Sequence, residues 1–399
     1  MKEVKSHHRS EASWKQRQVA DIAALRETVA HDPKDAGAHH RLGATLLFIF
    51  DEKTTEEGIK HLNQAIKLKK DFPEPVEVLA DYAAMTDPGK AVRLYKKAAD
   101  LFRHQGDGKK ADELLNRAAT IILDAGWSAR EAGDNIAAKK KAIRALEIYP
   151  YCVDARSLLG NIYTDRFEFH EAEKVYRAAV EDAVREQGGV VKLQDVPYWL
   201  EIDTRPYMRA RHGLGLTLMQ LHQYDEALRE FEILMDLNPN DNQGVRFLLA
   251  DVHHFLGNRE KAEKYYEEYG ELDSLYGYSL LLYFSGKQAQ AEGMLKKAVK
   301  GAPFIARILR RYLRQFDFWK ERGMFKYGDV PHLLYHMNAI VGAWNEMAPR
   351  ITDRQMFYDF ESAYYYCNLN APLWLKYEGA PSFLQKVMDP VMGPDAEEI

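Results

Sequence analysis

Two histidines spaced four residues apart form the pattern in this sequence that most resembles a chemical site. His332 and His336 share one face of a predicted helix, and Asp329 precedes them. The two-histidine helix of zinc proteases carries a glutamate directly after the first histidine as general base, but Leu333 stands there. Because the general base is missing and no third ligand is evident, a partly buried or exposed histidine pair is the favoured interpretation. A metal site is the alternative.

The other reactive residue types lack the neighbours that their chemistry requires. The sequence contains no glycine-rich phosphate loop, no G-x-S-x-G nucleophile elbow and no protein-kinase motif set. Cys367 has no histidine and asparagine context for nucleophilic catalysis. Together with Cys152 it makes two cysteines, too few for a disulfide framework or a four-cysteine zinc site, which fits a reducing compartment. We therefore predict no catalytic residue, no metal and no cofactor.

Length, charge and hydropathy narrow the function classes. The chain has 399 residues, 46% of them apolar and 29% charged, which allows at least one large core. Its formal net charge of −5 disfavours binding to nucleic acid or to an anionic membrane. The N-terminal stretch has no apolar core of a signal peptide, and the apolar run Leu42–Phe50 is far shorter than the roughly 18 residues of a membrane span. We predict a cytoplasmic protein that binds neither nucleic acid nor membrane.

The elements that would position any site are helices in a repeated pattern. Leu214 and Gly215 form a large–small pair; Ala227 and Phe231 follow after a short polar break, and Pro239 closes the series. Both halves have the spacing of helices that bury one face. The series recurs at three further places: Leu159, Gly160, Tyr163, Ala172, Tyr176 and Ala179; Leu249, Ala250, His253, Ala262, Tyr266 and Tyr269; Tyr278, Ser279, Leu282, Ala291, Leu295 and Ala298. Successive helix pairs are therefore predicted.

This series resembles the tetratricopeptide repeat, a helix-turn-helix unit of about 34 residues. In that repeat, small residues let the paired helices touch and bulky residues fill the space between them. The resemblance implies an all-α fold, a right-handed superhelical solenoid of helix hairpins. Gly215 and Ala227 are expected to face one another, because larger side chains would push the helices beyond their packing distance of ~8–10 Å.

The regularity of the pattern divides the chain into four parts. We expect an N-terminal helix or extension over 1–35, irregular hairpins over 36–150, regular repeats over 151–303 and an aromatic-rich helical end over 304–399. An insertion at about 187–206 interrupts the regular repeats, because it contains glycines and prolines that break the register.

The aromatic-rich end has two interpretations. It carries 18 of the 46 aromatic residues of the chain. A solenoid needs an atypical end to cover its last apolar face, so a cap is the favoured interpretation. The alternative is a small-ligand or metal-binding site within 304–377, which could be enzymatic, built from Asp329, His332, Tyr335, His336 and Asp359.

A narrower resemblance covers residues 198–303. The string Arg205–Arg211 (RPYMRAR) and the turn Asn238–Gly244 (NPNDNQG) are similar to those of uncharacterised bacterial tetratricopeptide proteins related to the suppressor-of-tumorigenicity-7 family. That resemblance implies the repeat fold and no biochemical activity, so it transfers no catalytic residue. Within the turn, Pro239 would stop one helix, and asparagine and aspartate side chains could cap the next.

The predicted function is that of a non-catalytic scaffold that holds a partner in a concave groove. In this repeat the first helix of each hairpin lines the groove, so the register assigns partner contacts to Asn161, Arg209, His212, Phe247, Asp251, His254 and Tyr276. This mixed polar and aromatic set fits a protein or peptide segment anchored through apolar side chains with a few hydrogen bonds. Two alternatives stay open: Phe247 and Tyr276 as ordinary inter-helix core, and Arg205, Arg209 and Arg211 in ion pairs with Glu201, Asp203 or a neighbouring hairpin. The sequence leaves the oligomeric state undetermined.

Overall fold

The computed structural model describes residues 20–47, 49, 51–186, 198–324, 326 and 333–392, and for 333–337 it describes the backbone alone. Within these ranges every regular element is a helix, which confirms the predicted all-α class. The chain divides into two compact units, Met1–Leu158 and Leu159–Ile399.

The first unit is a series of antiparallel helices joined by short turns. Its helices are α1 (20–31), α2 (Ala36–Leu47), α3 (Glu52–Leu68), α4 (Pro73–Thr86), α5 (Pro88–His104), α6 (Gly108–Glu131), α7 (Asn135–Ile148) and the start of α8 (Val153–Asp165). Four of them begin after an aspartate whose side chain accepts a hydrogen bond from the backbone N–H three residues later: Asp51, Asp87, Asp107 and Asp134. Each cap satisfies a backbone donor that the helix itself leaves without a partner.

The second unit continues the hairpins and adds the aromatic-rich end. Its elements are the rest of α8, then α9 (Phe169–Glu186), the 3-10 turns Tyr198–Leu200 and Ile202–Thr204, α10 (Arg205–Gln220), α11 (Tyr224–Leu237), α12 (Val245–Leu256), α13 (Arg259–Tyr269), α14 (Ser274–Phe284), α15 (Gln288–Gly301), α16 (Pro303–Lys320), α17 (Leu333–Met347), the 3-10 turn Ala348–Arg350, α18 (Arg354–Asn370), the 3-10 turn Ala371–Lys376 and α19 (Ala380–Met392). Of the predicted insertion, residues 187–197 lie outside the described residues. The remainder forms the two 3-10 turns and the start of α10.

Glycines on α8 and α10 leave room for one tyrosine ring. Tyr176 of α9 is buried against Gly160 and Gly213, and a β-carbon added at Gly160 would lie 2.5 Å from the ring. Gly215 makes the same kind of space for Phe231 of α11. Ala227, which we expected opposite Gly215, lies one helical turn before Phe231 and is fully buried. The helices approach closely because small residues and aromatic rings are matched.

The turn between α11 and α12 caps α12 through Asp241. Its Oδ1 accepts a hydrogen bond from the Val245 N–H at 2.7 Å, and Oδ2 accepts bonds from the N–H and Nε of Arg246 at 2.9 and 2.8 Å. Asp241 itself has φ +50°, a left-handed conformation that aspartate tolerates better than most residues. The predicted capping role therefore belongs to the aspartate of this turn.

The aromatic-rich end packs on the last repeat. α16 contacts α17, α18 and α19, and α19 also lies on α15. One apolar core runs from Ala250 to Met388, and Trp374 and Phe383 are fully buried in it. The helices of this end therefore bury apolar side chains against α15.

Substituting Gly160 with alanine should destabilise the α8–α9 hairpin by about 1–3 kcal/mol, because the added carbon overlaps the Tyr176 ring. The matched control is Gly293→Ala on α15, where an added β-carbon meets nothing within 4 Å. There alanine should be neutral or should stabilise by up to about 1 kcal/mol. Native-state hydrogen exchange at the amides of each hairpin measures both effects. If Gly160→Ala and Gly293→Ala changed the protection of their own hairpin amides equally, relative to the wild type, this account of the packing would be contradicted.

Candidate functional site

The predicted partner contacts lie on the first helices of four hairpins in the second unit and fall into two groups. Asn161 on α8, Arg209 and His212 on α10, and Phe247 at the start of α12 form the first group. All four keep exposed surface, and Arg209 is the most exposed. The second group consists of three buried residues: Asp251, His254 and Tyr276.

In the first group, two side chains also contact the second helix of their own hairpin. Asn161 Oδ1 accepts a hydrogen bond from the Tyr176 hydroxyl at 2.6 Å. The His212 ring lies 6.4 Å from the Phe231 ring, centroid to centroid, and burial lowers the pKa of His212. Both residues are half-buried. This group therefore offers an amide, a neutral imidazole, a guanidinium and an aromatic ring.

Arg205 and Arg211 of the RPYMRAR string contact neighbouring residues. Arg205 Nε donates to the carbonyl of Trp199 at 3.0 Å, and its guanidinium lies 5.4 Å from the Trp199 ring centroid. Arg211 pairs with Glu230 and lies over the Tyr207 ring. Of the three arginines, Arg209 is the one whose side chain is exposed.

The second group is buried within the chain, so its three residues do not meet solvent and their contact with a partner stays a prediction. Asp251 is 3% exposed, His254 is 1% exposed and Tyr276 is fully buried. The Tyr276 hydroxyl donates to the Ala302 carbonyl at 2.8 Å, so this tyrosine belongs to the inter-helix core. The register identified the face on which these residues lie, but it could not show that residues from the end of the chain cover that face.

Asp251 and His254 form a buried polar cluster with two tyrosines. The Tyr266 hydroxyl donates to Asp251 Oδ1 at 2.6 Å, and the Tyr377 hydroxyl lies 3.0 Å from His254 Nε2. Burial raises the pKa of Asp251 to about 7, although hydrogen bonds from Tyr266 and Asn370 oppose the shift. Burial lowers the pKa of His254 to about 3, and the positive charge of Lys376 adds to that effect. Neither side chain is charged in mildly acidic solution.

The alternative site in the aromatic-rich end is described only in part. Asp329 and His332 lie outside the described residues, and the side chains of Tyr335 and His336 are not described. Asp359 is exposed, and its Oδ1 accepts a hydrogen bond from Gln355 at 3.0 Å. Where the structure gives side chains, no three histidine, cysteine or acidic groups come together as metal ligands would. Cys367 is buried, and burial raises the pKa of its thiol.

A cavity of about 240 Å³ between α16 and α19 was not anticipated from the sequence. Its polar lining includes Arg310, Arg314, Asp317 and Gln385. The run of arginines in the string RILRRYLR was the available signal, but helical spacing alone does not show which arginines face another helix.

Comparison with known proteins identifies the repeat in two segments. Residues 152–186, which form α8 and α9, match the tetratricopeptide repeat, and so do residues 244–274, which form α12 and α13. The human intraflagellar transport protein 88 homolog is 23% identical over 256 residues, a match that covers 62% of this chain and 27% of that protein. The chain therefore spans about a quarter of the length of this relative.

Two solved structures are similar to this chain at low sequence identity. The P58(IPK) TPR domain is 16% identical, with 89% of this chain and 94% of that chain covered and a TM-score of 0.27. BtubC from P. vanneervenii is 17% identical, with coverage of 57% and 92% and a TM-score of 0.35. Across the described helices, no segment has the length and hydropathy needed to cross a lipid bilayer.

Substituting Asp251 with asparagine should change how stability depends on pH. The pKa of Asp251 is about 7 in the folded chain against an ordinary 3.8, so between these values the folded chain keeps a proton that the unfolded chain has lost. The stability of the wild type relative to the variant should therefore fall as pH rises through this window, by at most about 1.4 kcal/mol per pH unit. Chemical denaturation of both proteins at a series of pH values measures the difference.

The variant His254→Gln provides a control, because the contribution of His254 to stability should change with pH in the opposite direction. The pKa of His254 is about 3 in the folded chain against an ordinary 6.5, so stability relative to this variant should fall as pH drops through that interval. A difference between wild type and Asp251→Asn that stays flat between pH 3.8 and 7 would contradict the burial of Asp251 as an uncharged acid.

Proposed function

We propose that this protein is a non-catalytic scaffold that binds a partner protein or peptide on the inner face of α8, α10 and the start of α12. The proposal is supported by the tetratricopeptide matches over α8–α9 and α12–α13, a repeat whose first helices commonly carry partner contacts. The observation on which it depends most is the partial exposure of Asn161, Arg209, His212 and Phe247 on those helices. We call these four residues the open groove set.

The chemistry of the open groove set describes the partner. A guanidinium favours a carboxylate, which it can hold through two parallel hydrogen bonds. An amide and a neutral imidazole can each both donate and accept, which suits a peptide backbone. Phe247 offers an apolar anchor for one side chain of the partner. The fitting ligand is therefore a short extended or helical segment with an acidic residue near an apolar one.

Several finer features belong to the same proposal. They are a right-handed superhelical arrangement of the hairpins, a cytoplasmic location, and the absence of catalysis, cofactors and binding to nucleic acid or membrane. The narrower resemblance to proteins related to the suppressor-of-tumorigenicity-7 family also stays a prediction. Two buried cysteines without a disulfide agree with a reducing compartment.

Charge reversal and truncation within the open groove set test the proposal. The partner is captured from native lysate with the wild type, purified, and titrated by calorimetry against Arg209→Glu/Phe247→Ala. The double variant should bind at least tenfold more weakly, a loss of about 1.4 kcal/mol or more. The matched control is Arg229→Glu, which reverses an exposed arginine on α11, the second helix of its hairpin, and should bind as the wild type does. Equal affinities for all three proteins would refute the groove assignment.

The alternative site in 304–377 is distinguished by a different measurement. Plasma mass spectrometry of the purified full chain should find no stoichiometric metal if the scaffold proposal holds. One metal ion per chain, lost in His332→Ala/His336→Ala, would support the alternative instead.

A further inference from the structure

The inner face of α12 and α14 already contacts a peptide segment, and that segment belongs to this chain. Residues 366–377, which we call the docked segment, comprise the last turn of α18, the 3-10 turn Ala371–Lys376 and Tyr377. Asp251 is hydrogen-bonded to Asn370, His254 lies against Tyr377, and the Tyr276 ring lies 6.4 Å from the Tyr366 ring. The docked segment thus covers the three residues that the repeat register assigned to a partner.

The end of the docked segment binds α12 as a ligand would. Lys376 Nζ donates to the carbonyls of His254 and Phe255 at 3.0 and 2.6 Å, in the last turn of the helix. A lysine there also interacts favourably with the negative end of the helix dipole. The Tyr377 ring stacks on Phe284 of α14 with centroids 4.3 Å apart. Lys376 and Tyr377 are both only half-buried, so this end meets solvent.

The hydrogen bonding of the docked segment is incomplete. Trp374 Nε1 and Asn370 Oδ1 are buried, and neither atom has a hydrogen-bond partner among the described residues. A buried polar atom without a hydrogen-bond partner destabilises the folded chain by about 1–3 kcal/mol. Undocking removes part of this cost, because the atom can then form a hydrogen bond with water. The carboxyl of Asp251, whose burial is also unfavourable, gains access to water in the same event.

Two features nevertheless keep the docked form dominant in the isolated chain. Undocking would expose Trp374 and Leu375, which are fully buried. The segment is also tethered at its C-terminal side, because Phe383 of α19 stacks on Tyr283 with centroids 4.0 Å apart. A tether this short corresponds to an effective concentration of about millimolar, so even a modest intrinsic affinity holds the segment in place.

From these contacts we propose that the docked segment is an exchangeable internal ligand: it occupies the inner face of α12 and α14, and a partner helix of the same chemistry displaces it. The inference rests on the proposed function, since an occupied face regulates binding only if the adjoining groove binds a partner. The fitting partner carries tyrosine and asparagine on one helical face and ends in a lysine–tyrosine pair. Displacement would extend the open groove set to Asp251 and His254.

A labelled peptide of residues 364–379 tests the exchange in the full chain. Lys376→Ala/Tyr377→Ala weakens the resident segment, so the peptide should bind this variant at least tenfold more tightly than it binds the wild type in fluorescence anisotropy. The control is Tyr358→Ala, an exposed aromatic residue of α18 outside the docked segment, which should bind the peptide as weakly as the wild type does. Peptide affinities that are equal in all three folded proteins would overturn the proposal.

Amide hydrogen exchange provides a second test of the same proposal. It can be applied to a milder variant if the double variant folds poorly. Amides of 366–377 should exchange at least tenfold faster in the double variant while those of α16 are unchanged. If the double variant does not fold, the variant Tyr377→Phe is used instead. This substitution keeps the aromatic ring on Phe284 and removes the hydroxyl near His254. About threefold faster exchange confined to 366–377 is then expected. Exchange of 366–377 only together with α16 would overturn the proposal.

Two further outcomes are informative. A dimer of the double variant in light scattering, in which segments are exchanged between copies, would support an exchangeable segment. The proposed function fails by a separate result, namely unchanged partner affinity in Arg209→Glu/Phe247→Ala. Because the peptide and exchange measurements need no partner, failure of one proposal is distinguishable from failure of the other.

Discussion

The close approach of helices at glycine positions is the constraint on which the second unit depends. The Tyr176 ring occupies the space that Gly160 and Gly213 leave, and Phe231 occupies the space at Gly215. With a side chain at these glycines, the helices of each hairpin and its neighbour would separate. Their separation would change which residues of α8 and α10 face inward. The position of Asn161 and Arg209 therefore follows from the packing of Tyr176 and Phe231 against these glycines.

The same packing rule explains why the end of the chain lies where it does. A series of hairpins has an apolar face at its last repeat, and α16, α18 and α19 cover that face with aromatic side chains. In doing so, residues 366–377 reach α12 and α14. The polar contacts of this segment with Asp251 and His254 differ in kind from the apolar contacts of α19.

Sequence periodicity predicted the hairpins well. Small residues such as Gly160 and Ala227 recur at fixed spacing because every repeat meets the same steric requirement, so the local pattern was sufficient. The partner contacts that the register assigns, Arg209 and Phe247 among them, stay a prediction. Asp251, His254 and Tyr276 face inward by the same register but are buried. No local pattern distinguishes an inward residue that meets solvent from one that meets a segment more than a hundred residues away in sequence.

The sequence by itself determined the helical class and the repeat, because these depend on residue spacing within about 34 residues. Tertiary structure alone decided that Asp251, His254 and Tyr276 are buried, because the contact of Tyr377 with His254 and Phe284 joins residues distant in the chain. It also decided the protonation of Asp251, since the pKa of an aspartate responds to burial, and burial is a property of the folded surroundings.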